Sequence, residues 1–153
     1  MKIQPRFKTR KLVESLQFNF ISFDNTEIIE LLKLTSRKKI ALDYSQLRIG
    51  LLHYLNIALP GEAYIATTSY TIYDMINIII NSGKKPIFVD IDEKNLGPNI
   101  EDLSYLVKNK KVRCVIYTYL HGYKVSLQEL AKLCKKYDCI LIEDCAQSLW
   151  DRN

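Results

Sequence analysis

Glycine is scarce in this chain, at five in 153 residues, and none of the five falls in a G-x-G-x-x-G or Walker-type loop. A dinucleotide or P-loop site of the usual kind is thereby excluded, because both need glycine where the backbone closes on phosphate. Histidine is scarcer still, with His53 and His121 the whole supply. The cysteines, Cys114, Cys134, Cys139 and Cys145, form no C-x-x-C pair, so no zinc site is expected. No Ser/His/Asp order with a nucleophile elbow appears. No apolar run approaches the ~20 residues of a membrane helix. The start, Met1 to Lys8, is basic but lacks the apolar stretch that follows in a signal peptide. There is no internal repeat, low-complexity tract or interdomain linker.

What is present describes a globular chain. Hydrophobic residues make up 48% and charged residues 25%, enough apolar surface for one ordinary core. The formal net charge of +5 comes from lysines spread over expected helix ends and loops. With no nucleic-acid motif beside them they read as solvated surface, and no nucleic acid or membrane partner is expected. Cys114 and Cys139 fall in expected strands and Cys134 on an apolar helix face, where free cysteine is a small hydrophobe. A reducing, cytoplasmic location is the expectation.

Hydrophobic periodicity alternates between the two regular types. The first 23 residues mix helical and strand spacing and read as an arm. Asp24 or Asn25 can cap a helix from Thr26 to about Thr35. Strands are expected at Lys39–Asp43, Ala63–Thr67, Pro86–Asp90, Arg113–Thr118 and Cys139–Glu143. Between them lie helices. Ser45 can cap the first, along which Leu47, Leu51, Tyr54, Leu55 and Ala58 recur at helical spacing. The second, Thr71 to Ser82, carries Ile72, Met75, Ile76 and Ile79 on one face and ends at Gly83. Ile100 to about Lys108 follows the turn Asn95–Pro98. Ser126-Leu-Gln-Glu129 has the capping-box form and opens a helix turning Leu127, Leu130, Ala131, Cys134 and Tyr137 inward. Strand–helix alternation at this spacing predicts a mainly parallel sheet, an αβα three-layer sandwich. The organisation expected is an N-terminal arm and helix over 1–38 and a sheet domain over 39–153.

In such folds ligands bind beyond the C-terminal ends of the strands. That rim would gather Asp43 to Gln46, Thr67 to Thr71, Asp90 and Asp92, Tyr119, His121 and Gly122, then Glu143, Asp144 and Gln147. The last strand, Cys139-Ile-Leu-Ile-Glu143, has four apolar residues running into two carboxylates and reads as buried on both faces. A polar rim of this kind suits a small anionic or heteroaromatic ligand. The same residues also read as caps and solvated acids.

Three stretches carry a resemblance. Thr68-Ser-Tyr-Thr-Ile72 followed by Gly83-Lys-Lys-Pro86-Ile-Phe-Val-Asp90-Ile-Asp92 is one. Tyr119-Leu-His-Gly122 is the second, and Ile142-Glu143-Asp144-Cys145-Ala146-Gln147 the third. In this order and spacing they resemble the first part of the DegT/DnrJ/EryC1/StrS sugar aminotransferase family, from about Ile40 to Trp150. The resemblance implies the large domain of a fold-type-I, aspartate-aminotransferase-like enzyme that uses pyridoxal phosphate. Asp144 matches the family's aspartate on the cofactor's pyridine nitrogen, and Gln147 a contact near the ring oxygen. Ser45 lies near the phosphate turn at a helix N-terminus, where free N–H groups favour an anion. Ile72 falls where the family usually stacks an aromatic residue on the ring. Read locally, Asp144 is a strand-end polar residue, Gln147 a cap, Ser45 an N-cap and Ile72 core.

The departures shape the expected function. The family's phosphate turn reads like S-G-T, whereas here it is Ser45-Gln46-Leu47, without the glycine that admits close backbone approach. The family's Schiff-base lysine lies a couple of dozen residues beyond the Asp-x-x-Gln run, past Asn153. The expectation is therefore a truncated or split family member, with weak or absent cofactor binding and no catalysis alone. Full-length relatives would move an amino group onto a keto-sugar nucleotide. The alternative is a non-catalytic binding module that pairs with a separate chain supplying the lysine-bearing half. Self-association is the other partner expected.

Overall fold

The computed structural model describes residues 40–109, 111–122 and 125–148, together with Thr26, Ile29, Glu30, Lys33 and Leu34. Those five early positions are helical, within the helix expected over 26–35; its other residues and the arm of the first 23 lie outside the described residues. The chain divides into two units, Met1–Asp43 and Tyr44–Asn153.

The second unit is a four-stranded parallel sheet with helices between its strands. In chain order it runs α1 (Leu47–Ala58), β1 (Tyr64–Thr68), α2 (Tyr73–Asn81), β2 (Lys85–Val89), α3 (Ile100–Lys108) and β3 (Cys114–Thr118). A short 3-10 turn (Leu120–Gly122), α4 (Gln128–Lys136) and β4 (Ile140–Asp144) complete it. The spatial order is β2-β1-β3-β4, every pair parallel. The α/β sandwich expectation therefore holds. The chain leaves β1 toward β2 on one side and later builds β3 and β4 on the other. The order reverses between β1 and β3, and such a switch point opens a crevice at the strands' C-terminal ends.

Period-two alternation sends each strand's side chains to two cores. Ile65, Cys114 and Ile116 pack with Leu51, Leu55 and Leu59 of the α1 region and Met75, Ile78 and Ile79 of α2. Ala66, Val115 and Tyr117 pack with Leu103 and Val107 of α3 and Leu130 and Cys134 of α4. Fully buried side chains such as Leu55, Ile79 and Leu103 each contribute roughly 1.5–3 kcal/mol. The buried face of α2 runs through Ile78 as well as Met75 and Ile79, while Ile76 is only half-buried. On α4, Leu127, Leu130 and Cys134 are buried, but Ala131 is exposed.

Helix ends show why the boundaries fall where they do. Gly83, at φ +73, ends α2, with Lys84 N–H donating to the Ile79 carbonyl at 3.1 Å and Gly83 N–H to Ile80 at 2.9 Å. This is the Schellman arrangement, and glycine removes its left-handed penalty. Asn99 caps α3, its Oδ1 accepting from Glu101 and Asp102 N–H.

Four expectations are corrected. Ile40–Asp43 forms no strand; Ile40 and Leu42 are exposed and pair with no described strand, so alternation there has no ladder or burial to support it. The cap of α1 is Gln46, not Ser45, and makes no side-chain bond. The Ser126 capping box does not form: α4 starts at Gln128 with Leu127 as cap, a position that buries the Leu127 side chain. β4 is not buried on both faces. Ile140, Leu141 and Ile142 are half-buried and Glu143 is exposed, because among the described residues β4 pairs with β3 alone.

Candidate functional site

The crevice between β1 and β3 is furnished by short polar loops. After β1, Thr68 Oγ1 donates to the Tyr70 carbonyl at 3.0 Å, and Ser69 N–H donates to Val89 of β2. These bonds fix the turn that presents Tyr70, Thr71 and Ile72. Thr71 Oγ1 then donates to Thr118 Oγ1 across the crevice at 3.2 Å. Tyr70, Leu96, Tyr117, Thr118, Leu120 and His121 line a cleft of ≈ 180 Å³.

Asp144 closes β4 in register with Thr118. Alternation puts it on the face of Ile142, which packs on the α1–α2 core. It is 6% exposed. Oδ1 accepts from Ala146 N–H at 3.1 Å, whereas Oδ2 is buried with no partner. A buried carboxylate oxygen without a donor is costly, and natural structures keep few. Thr67 Oγ1, on the same face, is the other buried side-chain oxygen without a partner among the described residues.

Glu143, next in sequence to Asp144, points to the opposite face. It accepts from Tyr119 Oη at 2.7 Å, and Tyr119 packs edge-on against Tyr117 at 4.9 Å. Burial, then the Glu143 carboxylate, pushes the Tyr119 phenol well above its ordinary range. The two adjacent acids thus have separate duties.

Gln147 is exposed, and its Oε1 accepts from His121 N–H. His121 sits at φ +57, while its Nε2 meets Tyr70 Oη at 3.1 Å. One residue thereby ties together the loops after β1, β3 and β4. Gly122 follows at φ +70, and a Cβ there would stand 3.2 Å from the Gln147 carbonyl oxygen. With Oε1 engaged, the Gln147 amide keeps its NH₂ group as a donor.

The α1 N-terminus also belongs to this end of the molecule. The helix runs down to the segment that enters β1 at its start, so its first turn lies at the level of the strands' ends. Arg48 in that turn pairs with Asp74 in the first turn of α2 at 2.6 Å. Ser45 is exposed just before it, and the Tyr44 ring covers Gly50, where a Cβ would lie 2.7 Å from Tyr44 Cδ2. Ile72 is the cap residue of α2 and 40% exposed, so its reading as core is corrected: it stands on the rim. Asp90 and Asp92 are spent on their own turn. Asp90 Oδ1 accepts from Ile91 N–H, and Asp92 accepts from Lys94 N–H and Asn95 Nδ2.

Spacing alone missed the Thr71–Thr118 bond, the Tyr119–Glu143 pair and the Arg48–Asp74 bridge, which depend on strand order. Among the described residues no three His, Cys, Asp or Glu side chains gather as a metal site, and no helix is long and apolar enough to cross a membrane.

The sheet is parallel and doubly wound, and it carries a buried, half-satisfied carboxylate at the C-terminal end of β4. Residues 45–151 match the model of the DegT/DnrJ/EryC1/StrS aminotransferase family, and the chain belongs to that family. It is 27% identical over 135 residues to a GDP-perosamine synthase of Vibrio cholerae, an alignment covering 85% of this chain and 34% of that protein. It is 31% identical over 90 residues to a UDP-4-amino-4-deoxy-L-arabinose–oxoglutarate aminotransferase of Shewanella sediminis, covering 59% of this chain and 23% of the relative. In fold it resembles an aminotransferase from Psychrobacter cryohalolentis, with a TM-score of 0.75 and 19% identity over 96% of this chain and 39% of that one. The chain thus spans about a third of the length of the first of these relatives.

Proposed function

We propose that this chain forms the carboxylate side of a pyridoxal-phosphate site serving amino transfer to a keto-sugar nucleotide. The observation that carries the reading is Asp144, whose Oδ2 is buried at the rim without a donor. A ring N–H is the partner it lacks. Pyridoxal phosphate, when bound, supplies the electron sink for the carbon that gains or loses the amine. Asp144 would hold the proton on the ring nitrogen. Gln147 would donate its NH₂ group to the ring oxygen, its orientation set by His121 N–H. Ile72 would lie against the ring face. The free N–H groups around Ser45 at the start of α1 would receive the phosphate. There the fit is poorer, since Gln46 and Leu47 replace the small and hydroxyl residues of the family turn.

The chain by itself is proposed not to turn over: among the described residues no lysine bonds to Asp144 or Gln147. Lys84, buried, donates to the Ser82 carbonyl, and Lys85 pairs with Glu62. Both sit at the opposite end of the sheet, where β2 begins. The reaction also needs a lysine as nucleophile and proton carrier. A second reading, a non-catalytic module that docks a complementary chain or a second copy, draws on the open edge of β4, where Ile140 to Ile142 are half-buried. Unpaired apolar edges invite association.

The test is a pyridoxal-phosphate titration of the whole chain, followed by absorbance. A dissociation constant no tighter than about 0.1 mM, or ~−5.5 kcal/mol, is expected. Asp144→Ala should weaken it further. Tight binding indifferent to that change would overturn the site. Borohydride trapping with peptide mapping, run beside an amino-transfer assay from glutamate, tests turnover. One stoichiometric lysine together with activity would overturn the claim of no turnover.

A further inference from the structure

We propose that Cys134 and Cys139 form a built dithiol pair that a hydroperoxide closes reversibly to an intramolecular disulfide. The inference is independent of the cofactor site. It begins at the end of α4. Asp138 adopts φ +54, and the chain folds back so that Cys139 N–H donates to the Cys134 carbonyl at 2.9 Å. This helix ending brings the side chains of those two positions together, ordinarily as an apolar contact. Here both positions are cysteine. Both belong to the same core and are buried, at 2% and 9% exposure. Cys139 Sγ donates to the Ile140 carbonyl at 3.8 Å, and interaction between the two thiols holds Cys134 below its ordinary range and, with burial, pushes Cys139 up. Cys134 is therefore the attacking sulfur.

The other cysteines are placed differently. Cys114 packs in the opposite core, with its thiol pushed up to about 12 by burial. Cys145 follows the far end of β4, beside Asp144. A cleft of ≈ 300 Å³ lined by Val112, Arg113, Tyr137 and Asp138 opens beside the turn joining the two cysteines.

The chemistry balances with the peroxide as oxidant. The Cys134 thiolate attacks one peroxide oxygen, the O–O bond breaks, and the departing hydroxide leaves as water with the thiol proton. The resulting sulfenic acid is attacked by Cys139 sulfur. The S–S bond forms, the S–O bond breaks, and a second water leaves with the Cys139 proton. Two thiols lose two electrons and one peroxide gains them. The product ties the end of α4 to the start of β4, the strand that carries Asp144 at its other end.

Trypsin cuts after Lys135 and Lys136, between the two cysteines, so the disulfide leaves the fragments Leu133–Lys135 and Tyr137–Arg152 joined. Because Cys145 lies in the second fragment, the experiment uses the Cys145→Ser chain. It is treated natively with hydrogen peroxide, alkylated, digested and read by mass. The joined pair is expected, to be lost on dithiothreitol treatment and in Cys134→Ser or Cys139→Ser on the same background, with Cys114 still alkylated. Should either variant fail to fold by circular dichroism, the Cys145→Ser chain alone decides, through loss of alkylation at positions 134 and 139 together. A link that forms only in urea, or Cys134 driven to sulfinic acid with Cys139 still free, would overturn the proposal.

Discussion

Replacing Asp144 with asparagine should make the cofactor-free chain more stable and the cofactor-binding chain worse. The amide oxygen can keep the 3.1 Å bond from Ala146 N–H, while the unpartnered Oδ2 becomes a neutral NH₂ group. An unsatisfied buried polar atom costs about 1–3 kcal/mol, and more when it belongs to a charged group. The neutral amide still wants an acceptor, so only part of that cost returns, about 1 kcal/mol. For a chain of this size that is roughly 2–4 °C in Tm. Pyridoxal phosphate acts in the other direction. At a free concentration ten times a dissociation constant of about 0.1 mM it should stabilise the native chain by ~1.4 kcal/mol. The asparagine variant should lose most of that increment, because an amide cannot balance a protonated ring. The assay is thermal unfolding by circular dichroism, with and without cofactor. If the variant were less stable by more than about 1 kcal/mol without cofactor, Oδ2 would already be satisfied and the reasoning refuted. An undiminished cofactor increment would place the ring away from Asp144.

Further outcomes follow from the same geometry. Gly122→Ala places a Cβ at φ +70 and 3.2 Å from the Gln147 carbonyl, so it should cost about 1–2 kcal/mol and also weaken cofactor binding, read by melting and titration. Leu55→Ala empties a fully buried position in the α1–α2 core and should cost about 2–5 kcal/mol, seen as a lower urea midpoint at unchanged slope. The Cys114 thiol is raised from 9.0 to about 12 in the folded chain, so its contribution to stability is full below pH 9.0 and lost as pH rises toward about 12. Tyr119 is raised in the same sense, and Tyr119→Phe should flatten the alkaline limb of a pH–stability curve while losing about 1–2 kcal/mol at neutral pH.

Most of the architecture was legible because its signals are local. The helix expected from Ile100 to Lys108 is observed over those residues, and four of the five expected strands appear within a residue or so of their limits. Gly83 stops α2 for the reason a glycine stops a helix. The errors arise where a local pattern needs a distant partner. Ile40 and Leu42 alternate like a strand, but alternation cannot supply a neighbour to pair with. Ser126 and Glu129 have the capping-box spacing, but burying Leu127 decides where α4 begins. An apolar run such as Ile140–Ile142 cannot announce whether its strand is central or at an edge, because both read alike until the sheet order is known.

The site divides along the same line. The proposal of Asp144 and Gln147 as cofactor contacts came from their place in a family motif, not from spacing, which equally allowed a solvated strand end and a cap. Period-two alternation, however, already separates Glu143 from Asp144: consecutive residues of one strand cannot share a face. What each meets depends on β3 lying beside β4. Thr118 is in register with Asp144 on one face, and Tyr117 with Glu143 on the other, so Tyr119, one step beyond Tyr117, comes within reach of the Glu143 carboxylate. The phenol satisfies one acid and the other is left with an open oxygen. Had the strand been shifted by one residue, the duties of the two carboxylates would have exchanged, with Asp144 tied to tyrosine and Glu143 facing the crevice. The register of a single strand pair therefore sets which carboxylate is available to a ligand, and that is a property of the folded sheet.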